Sequence, residues 1–173
     1  MKKAVLAVLA VLAMTAIGAH AAADEGFYVG LSANHLKLTC SNCDKETASA
    51  AGLYGGYRVG NIAGEISNVQ KTFRDGTSDT KLTLTDFSVI PRFNVAKDVD
   101  LLGKVGIRHS KSSGNDVDTG KFKATGNSLV VGVGIEYKVL PQVNLRAMVD
   151  YAHKTTGTSV HITTATIGVS YSF

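Results

Sequence analysis

Cys40 and Cys43 are the only two cysteines of the chain and stand as C-S-N-C. Thiols at this spacing can close a local disulfide, hold a metal ion or pass electrons. No second CxxC stands at zinc-finger spacing, so a disulfide trimming a loop is the expected state, with metal capture the alternative. His35, His153 and His161 are the imidazoles best placed to join a metal or a phosphate, although isolated histidines are the simpler expectation. Glu65, Lys104, Glu136 and Arg146 are charges embedded in otherwise apolar or glycine-rich stretches, which points to buried ion pairing. Hydrolase chemistry finds little support. His109 and Ser110 are neighbours and so face opposite ways, neither H-x-S nor G-x-S-x-G occurs, and Asp116 and Asp118 sit in a polar, glycine-containing stretch. No catalytic residue, cofactor or dedicated metal site is expected.

The elements that must position these residues are strands. Eight segments of alternating character follow one another: Phe27 to Leu38, Ser49 to Val59, Ile62 to Phe73, Lys81 to Phe93, Val99 to Ser110, Asn127 to Val139, Val143 to His153 and Val160 to Phe173. Leu129, Val131, Val133, Ile135 and Tyr137 alternate with Val130, Gly132, Gly134, Glu136 and Lys138. That period of two belongs to a strand with two unlike faces. The third segment keeps one apolar parity only as far as Ile66, which either a bulge or a misplaced segment would explain. Connections alternate between short (Gly60-Asn61, Asn94 to Asp98, Leu140 to Gln142) and long (Thr39 to Ala48, Arg74 to Thr80, Lys111 to Gly126), with Lys154 to Ser159 a brief exception. Segments of about ten alternating residues, joined by short turns on one side and longer loops on the other, are the signature of a transmembrane barrel.

Both ends agree with export. Residues 1–21 read as a signal peptide: Lys2 and Lys3, an apolar run from Ala4 to Ile17, then Ala19-His20-Ala21, with cleavage after Ala21 or Ala23. Loss of Lys2 and Lys3 lowers the formal charge from +4 to +2, so the basic balance carries no nucleic-acid signature. Residues 22–173 then form one domain. Its last strand puts Phe173, Tyr171, Val169, Ile167 and Ala165 on one face, and Ser172, Ser170, Gly168, Thr166 and Thr164 on the other. A chain ending on such a strand, with an aromatic final residue, resembles the signal read by the barrel-insertion machinery. The resemblance implies that Phe173 and Tyr171 carry it.

An eight-stranded barrel has a bore only wide enough for side chains. The expected arrangement therefore puts the large apolar residues outside in lipid, and the small residues and charges inside. Tyr57, Tyr137, Tyr151, Tyr171, Phe27, Phe93 and Phe173 are placed for interfacial girdles. Glu65, Lys104, Glu136 and Arg146 take the inward parity, as do Arg92, Arg108 and Asp150. Glu136 and Arg146 flank a short turn on adjacent strands and form the best pair.

The stretches G-F-Y-V-G-L-S-A-N, G-L-Y-G-G-Y-R-V and V-G-V-G-I-E-Y-K-V-L-P-Q-V-N-L-R-A-M-V-D-Y resemble the membrane domain of OmpA-like proteins, which include the small opacity- and OmpX-type surface barrels. The resemblance covers essentially all of residues 22–173. It implies an all-β, up-and-down, eight-stranded antiparallel transmembrane β-barrel in the bacterial outer membrane. It also implies a Glu/Arg/Lys plug in the bore, which Glu136, Arg146 and Lys104 match and Glu65 matches less closely. Ile90 stands near the place of the family's fourth-strand lysine, with Arg92 one inward position away. The peptidoglycan-binding domain of the larger members has no counterpart, so no wall-anchoring role is expected. The expected function is structural and adhesion-type, exerted through extracellular loops. A narrow ion channel gated by the internal cluster is the alternative, and a lipid A-modifying enzyme the third. Expected partners are outer-membrane lipid, lipopolysaccharide, the barrel-assembly machinery and host surface molecules, with no nucleic acid.

Overall fold

A computed structural model describes residues 25–39, 46–75, 78–116, 120–153 and 161–173. Eight strands follow in chain order: β1 (Glu25–Thr39), β2 (Glu46–Val59), β3 (Ile62–Asp75), β4 (Ser78–Ala96), β5 (Val99–Asp116), β6 (Gly120–Leu140), β7 (Val143–His153) and β8 (His161–Ser172). Each pairs antiparallel with its sequence neighbours, and β1 pairs with β8 from Tyr28↔Ser172 to Thr39↔His161 to close the barrel. The Phe173 amide donates to the Phe27 carbonyl at 2.9 Å, so the ladder runs to the last residue. The fold is the up-and-down barrel expected from the alternation.

Closure sorts the side chains. Phe27, Val133 and Ile167 point outward and are each about two-thirds exposed, at 67%, 67% and 69%. On β6, Leu129, Val131, Val133, Ile135, Tyr137 and Val139 make an unbroken outward apolar row. Ten residue steps of about 3.4 Å, tilted by about 40°, span roughly 26 Å, which matches the apolar band of an outer-membrane barrel. At the short-turn end, Phe27 packs edge-on against Tyr57 and Tyr171 against Phe173, with ring centres 4.7 and 5.3 Å apart.

The far end of that band is marked by cross-strand polar pairs, one for each hairpin. His35 meets Ser49 Oγ (3.3 Å), Asn68 donates to Thr85 Oγ1 (2.9 Å), His109 meets Asn127 Oδ1 (2.7 Å) and Tyr151 Oη meets His161 Nδ1 (2.7 Å). Satisfied polar pairs on the outward face fit the interface between hydrocarbon and headgroups. In bacterial barrels the short turns face the periplasm, so this belt faces outward from the cell.

Three sequence expectations change. Arg74 to Thr80 is largely strand rather than loop, since β3 and β4 stay paired as far as Asp75↔Ser78. β3 carries no bulge: its pairing with β4 runs without a shift from Ile62↔Pro91 to Asp75↔Ser78. Its apolar parity changes because Val69 and Phe73 turn inward onto an apolar cluster, while Asn68 and Gln70 face outward at the polar belt. The stretch Lys111 to Gly126 is also not simply a loop. β5 and β6 stay paired from Ser110↔Gly126 to Asp116↔Gly120. The outward face is polar there (Lys111, Ser113, Lys123 and Thr125), so the contrast that marks a strand in lipid is missing although the ladder continues.

Candidate functional site

The bore holds three layers. Nearest the short turns, Arg146 is 4% exposed and reaches two carboxylates. Its Nη1 lies 2.5 Å from Glu65 Oε2, and its Nη2 and Nε lie 3.0 and 3.2 Å from Glu136 Oε2. Glu136 also meets Arg92 (2.8 Å) and Arg58 (3.2 Å), and Arg92 bonds Asp100. Three guanidinium groups thus face three carboxylates, and the layer is neutral. Tyr28 Oη donates to Glu65 at 2.8 Å, and the Arg146 guanidinium lies 4.8 Å from the centre of the Tyr54 ring. Gly30 makes room for that ring, since a Cβ there would stand 2.4 Å from Tyr54 Cζ.

The second layer lies outward of the first. Arg108 spans Asp86 (2.7 and 2.8 Å) and Asp150 (2.8 Å), and also reaches Thr164 Oγ1 (3.1 Å). Lys104 bonds the same two aspartates, at 2.7 and 3.4 Å. Two cations face two anions, so this layer is also neutral. A cavity of about 30 Å³ lies between the layers, lined by Glu65, Arg146, Asp86, Lys104 and Arg108 among others, and has room for one or two waters. Outward again, Leu36, Ala48, Leu84, Val130, Ala152 and Ile162 close the bore with an apolar layer.

Sequence reasoning grouped Glu65, Lys104, Glu136 and Arg146. The structure brings Glu65, Glu136 and Arg146 together but places Lys104 in the second layer, because parity gives the face of a residue and not its height. Arg92 falls in the first layer; Arg108 and Asp150 fall in the second. Arg58 and Asp86 join the two layers although no motif marks them in the sequence. Register would have found Asp86, since it stands directly opposite Arg108. Ile90 is fully buried in the bore. Cys40 and Cys43 lie outside the described residues.

The histidines separate. His153 and His161 stand one step beyond the paired residues Ala152 and Ile162 and so face each other, with ring centres 5.2 Å apart. His35 lies elsewhere, opposite Ser49 and Ala165. Its contact with Ser49 resembles part of a hydrolase dyad. Among the described residues, however, no carboxylate bonds His35 to complete it.

Solved structures share this architecture. Neisserial surface protein A is 23% identical, with a TM-score of 0.71 over 86% of this chain and 97% of that one. Ail, the attachment invasion locus protein of Yersinia pestis, solved with the heparin analogue sucrose octasulfate, is 17% identical, with a TM-score of 0.69 over 87% of this chain and 100% of that one. OprG from Pseudomonas aeruginosa is 12% identical, with a TM-score of 0.60 over 89% and 99%. No curated protein sequence matches. These likenesses carry the fold, while a family model, described as the outer membrane protein beta-barrel domain, matches residues 7–173. By that match, and by its closed eight-stranded barrel, the chain belongs to the outer membrane protein β-barrel family.

Proposed function

We propose that the protein is a surface-interaction barrel, binding polyanionic partners such as acidic host glycans through the strands that project beyond its polar belt. The carrying observation is register. Lys81 on β4 stands opposite Ser113 on β5, and Ser113 stands opposite Lys123 on β6. Lys111 lies two residues along the same face, and all three lysines are exposed. Strand spacing puts the Lys81 and Lys123 backbones about 10 Å apart, a separation suited to several sulfates or phosphates at once. The heparin analogue bound to Ail supports the class of partner, although the likeness between the two chains extends to fold alone.

The filled bore favours this reading over a channel. Two ionic layers and an apolar layer of buried side chains lie across the bore, so planar-bilayer recordings should show no steady conductance. Residues 1–21 act as the export signal in this reading, and the C-terminal strand ending in Tyr171 and Phe173 is the segment offered to the assembly machinery. The test is attachment to host cells and retention on a heparin column, comparing the parent with Lys81→Ala/Lys111→Ala/Lys123→Ala. Loss of both, with heat-modifiable gel mobility retained, is the expected result. Unchanged attachment and retention would overturn the adhesion role and leave a role in envelope packing.

A further inference from the structure

The outward histidine pair at the β7–β8 hairpin has no part in the ionic bore or the lysine face. We propose that His153 and His161 form a two-imidazole site for a borderline transition-metal dication, with zinc as the reference ion. Three features of the structure point there.

The first is spacing. The ring centres lie 5.2 Å apart with the planes inclined by 47°. A zinc ion bound about 2.0–2.1 Å from one nitrogen of each ring, at a tetrahedral angle, separates the ring centres by roughly 5 Å. The ring spacing therefore matches that of a zinc-bridged pair.

The second is orientation. Tyr151 Oη lies 2.7 Å from His161 Nδ1, and its ring stacks on the imidazole at an interplanar angle of 15°. When Nδ1–H donates to the phenol oxygen, the lone pair of Nε2 is left free. Metal-binding histidines are commonly held this way by a second hydrogen-bond partner that fixes tautomer and ring direction. Tyr151 is a positioning residue here, not a ligand.

The third is rigidity and selectivity. Both ligands sit on directly facing strand positions of one hairpin, so binding needs little reorganisation of backbone. Among the described residues no third histidine, cysteine or carboxylate joins the pair. Water fills the remaining positions, and the site is weak and reversible. Two neutral nitrogens favour zinc or copper, whereas calcium and magnesium require oxygen donors. The occupied site would clamp β7 to β8 at the outer rim.

The experiment uses the folded mature barrel in detergent micelles, carrying Cys40→Ser/Cys43→Ser so that thiols cannot compete, with zinc chloride titrated by calorimetry. One saturable zinc per barrel is expected, with no response to magnesium chloride. His153→Ala and His161→Ala should each abolish saturation, His109→Ala should leave it unchanged, and Tyr151→Phe should weaken it roughly tenfold. Absence of saturable binding, or binding that survives either His153→Ala or His161→Ala, would overturn the site. If a variant fails to fold, imidazole NMR of the unsubstituted barrel decides. Zinc must shift the His153 and His161 signals and spare those of His35 and His109; any other pattern refutes the proposal.

Discussion

Arg146→Ala is the sharpest test of how the bore is held. The guanidinium is 4% exposed and supplies ionic contacts to both Glu65 and Glu136. Its removal changes the first layer from three cations and three anions to two and three. Among the described residues Glu136 keeps Arg58 and Arg92, whereas Glu65 keeps only the Tyr28 hydroxyl. The loss therefore falls mainly on one buried, uncompensated carboxylate. Breaking a buried pair from one side costs about 3–5 kcal/mol. Loss of the cation–π contact with Tyr54 adds about 1 kcal/mol, and Arg58 and Arg92, buried against Glu136, offset nothing at Glu65. A net loss of about 5 kcal/mol, at a urea dependence of about 2 kcal/mol per molar, lowers the unfolding midpoint by about 2.5 M. The chain has no tryptophan, so the assay is circular dichroism of vesicle-embedded barrel, checked by heat-modifiable gel mobility. Arg146→Met/Glu65→Gln supplies the control. It removes both charges, and the stability should largely return, because replacing a whole buried pair is often neutral. An unchanged midpoint in Arg146→Ala would refute the argument, as would a double variant no better than the single one.

Two further outcomes follow from the wall. Val133→Arg places a charge at the middle of the outward apolar row and should cost about 2–4 kcal/mol, whereas Thr125→Arg, beyond the polar belt, should cost about 0–1 kcal/mol; equal costs in vesicle unfolding would contradict the assigned depth. Gly30→Ala drives a methyl into the Tyr54 ring and should cost about 1–3 kcal/mol in the same assay, a loss that Tyr54→Phe cannot relieve, because the ring carbons themselves are the obstacle.

The architecture was legible because lipid rewards a simple pattern. β7 has the bounds expected from its alternation, Val143–His153, because every outward residue from Leu145 to Tyr151 is apolar or aromatic and its partners alternate strictly. The pattern weakens wherever the surroundings change along a strand. On β3 the outside turns from hydrocarbon to headgroup near Asn68 while the inside turns from ionic to apolar near Val69, so the parity inverts although the backbone does not. On β5 and β6 the ladder outlives the membrane, and the polar residues 111–126 read as loop. Lys104 shows a different limit. Alternation assigns it inward, but its height depends on strand tilt and stagger, which no single strand encodes. Counting from the short turns does encode part of it. Lys104 faces Gly132, and Gly132 faces Asp150, so Lys104 and Asp150 share a level with only a glycine between them. The contacts across the bore, Glu65 to Arg146 above all, join residues 81 apart in sequence and appear only once the barrel has closed.

The layering itself explains why closure does not hang on a single gate. A charge in a narrow bore with low-dielectric walls is stable only when an opposite charge lies against it. Here each ionic layer balances by itself, so neither needs the other for neutrality. Opening the first layer by rearranging Arg146 would still leave Arg108 and Lys104 bound to Asp86 and Asp150. Beyond them an ion would meet Leu36, Leu84, Val130 and Ile162, which offer it no hydration in return. Conduction would require three unlike barriers to yield together, two electrostatic and one dewetted. Under the proposed interaction role, a bore packed this way would steady the wall from which β4, β5 and β6 carry Lys81, Lys111 and Lys123 in register beyond the polar belt.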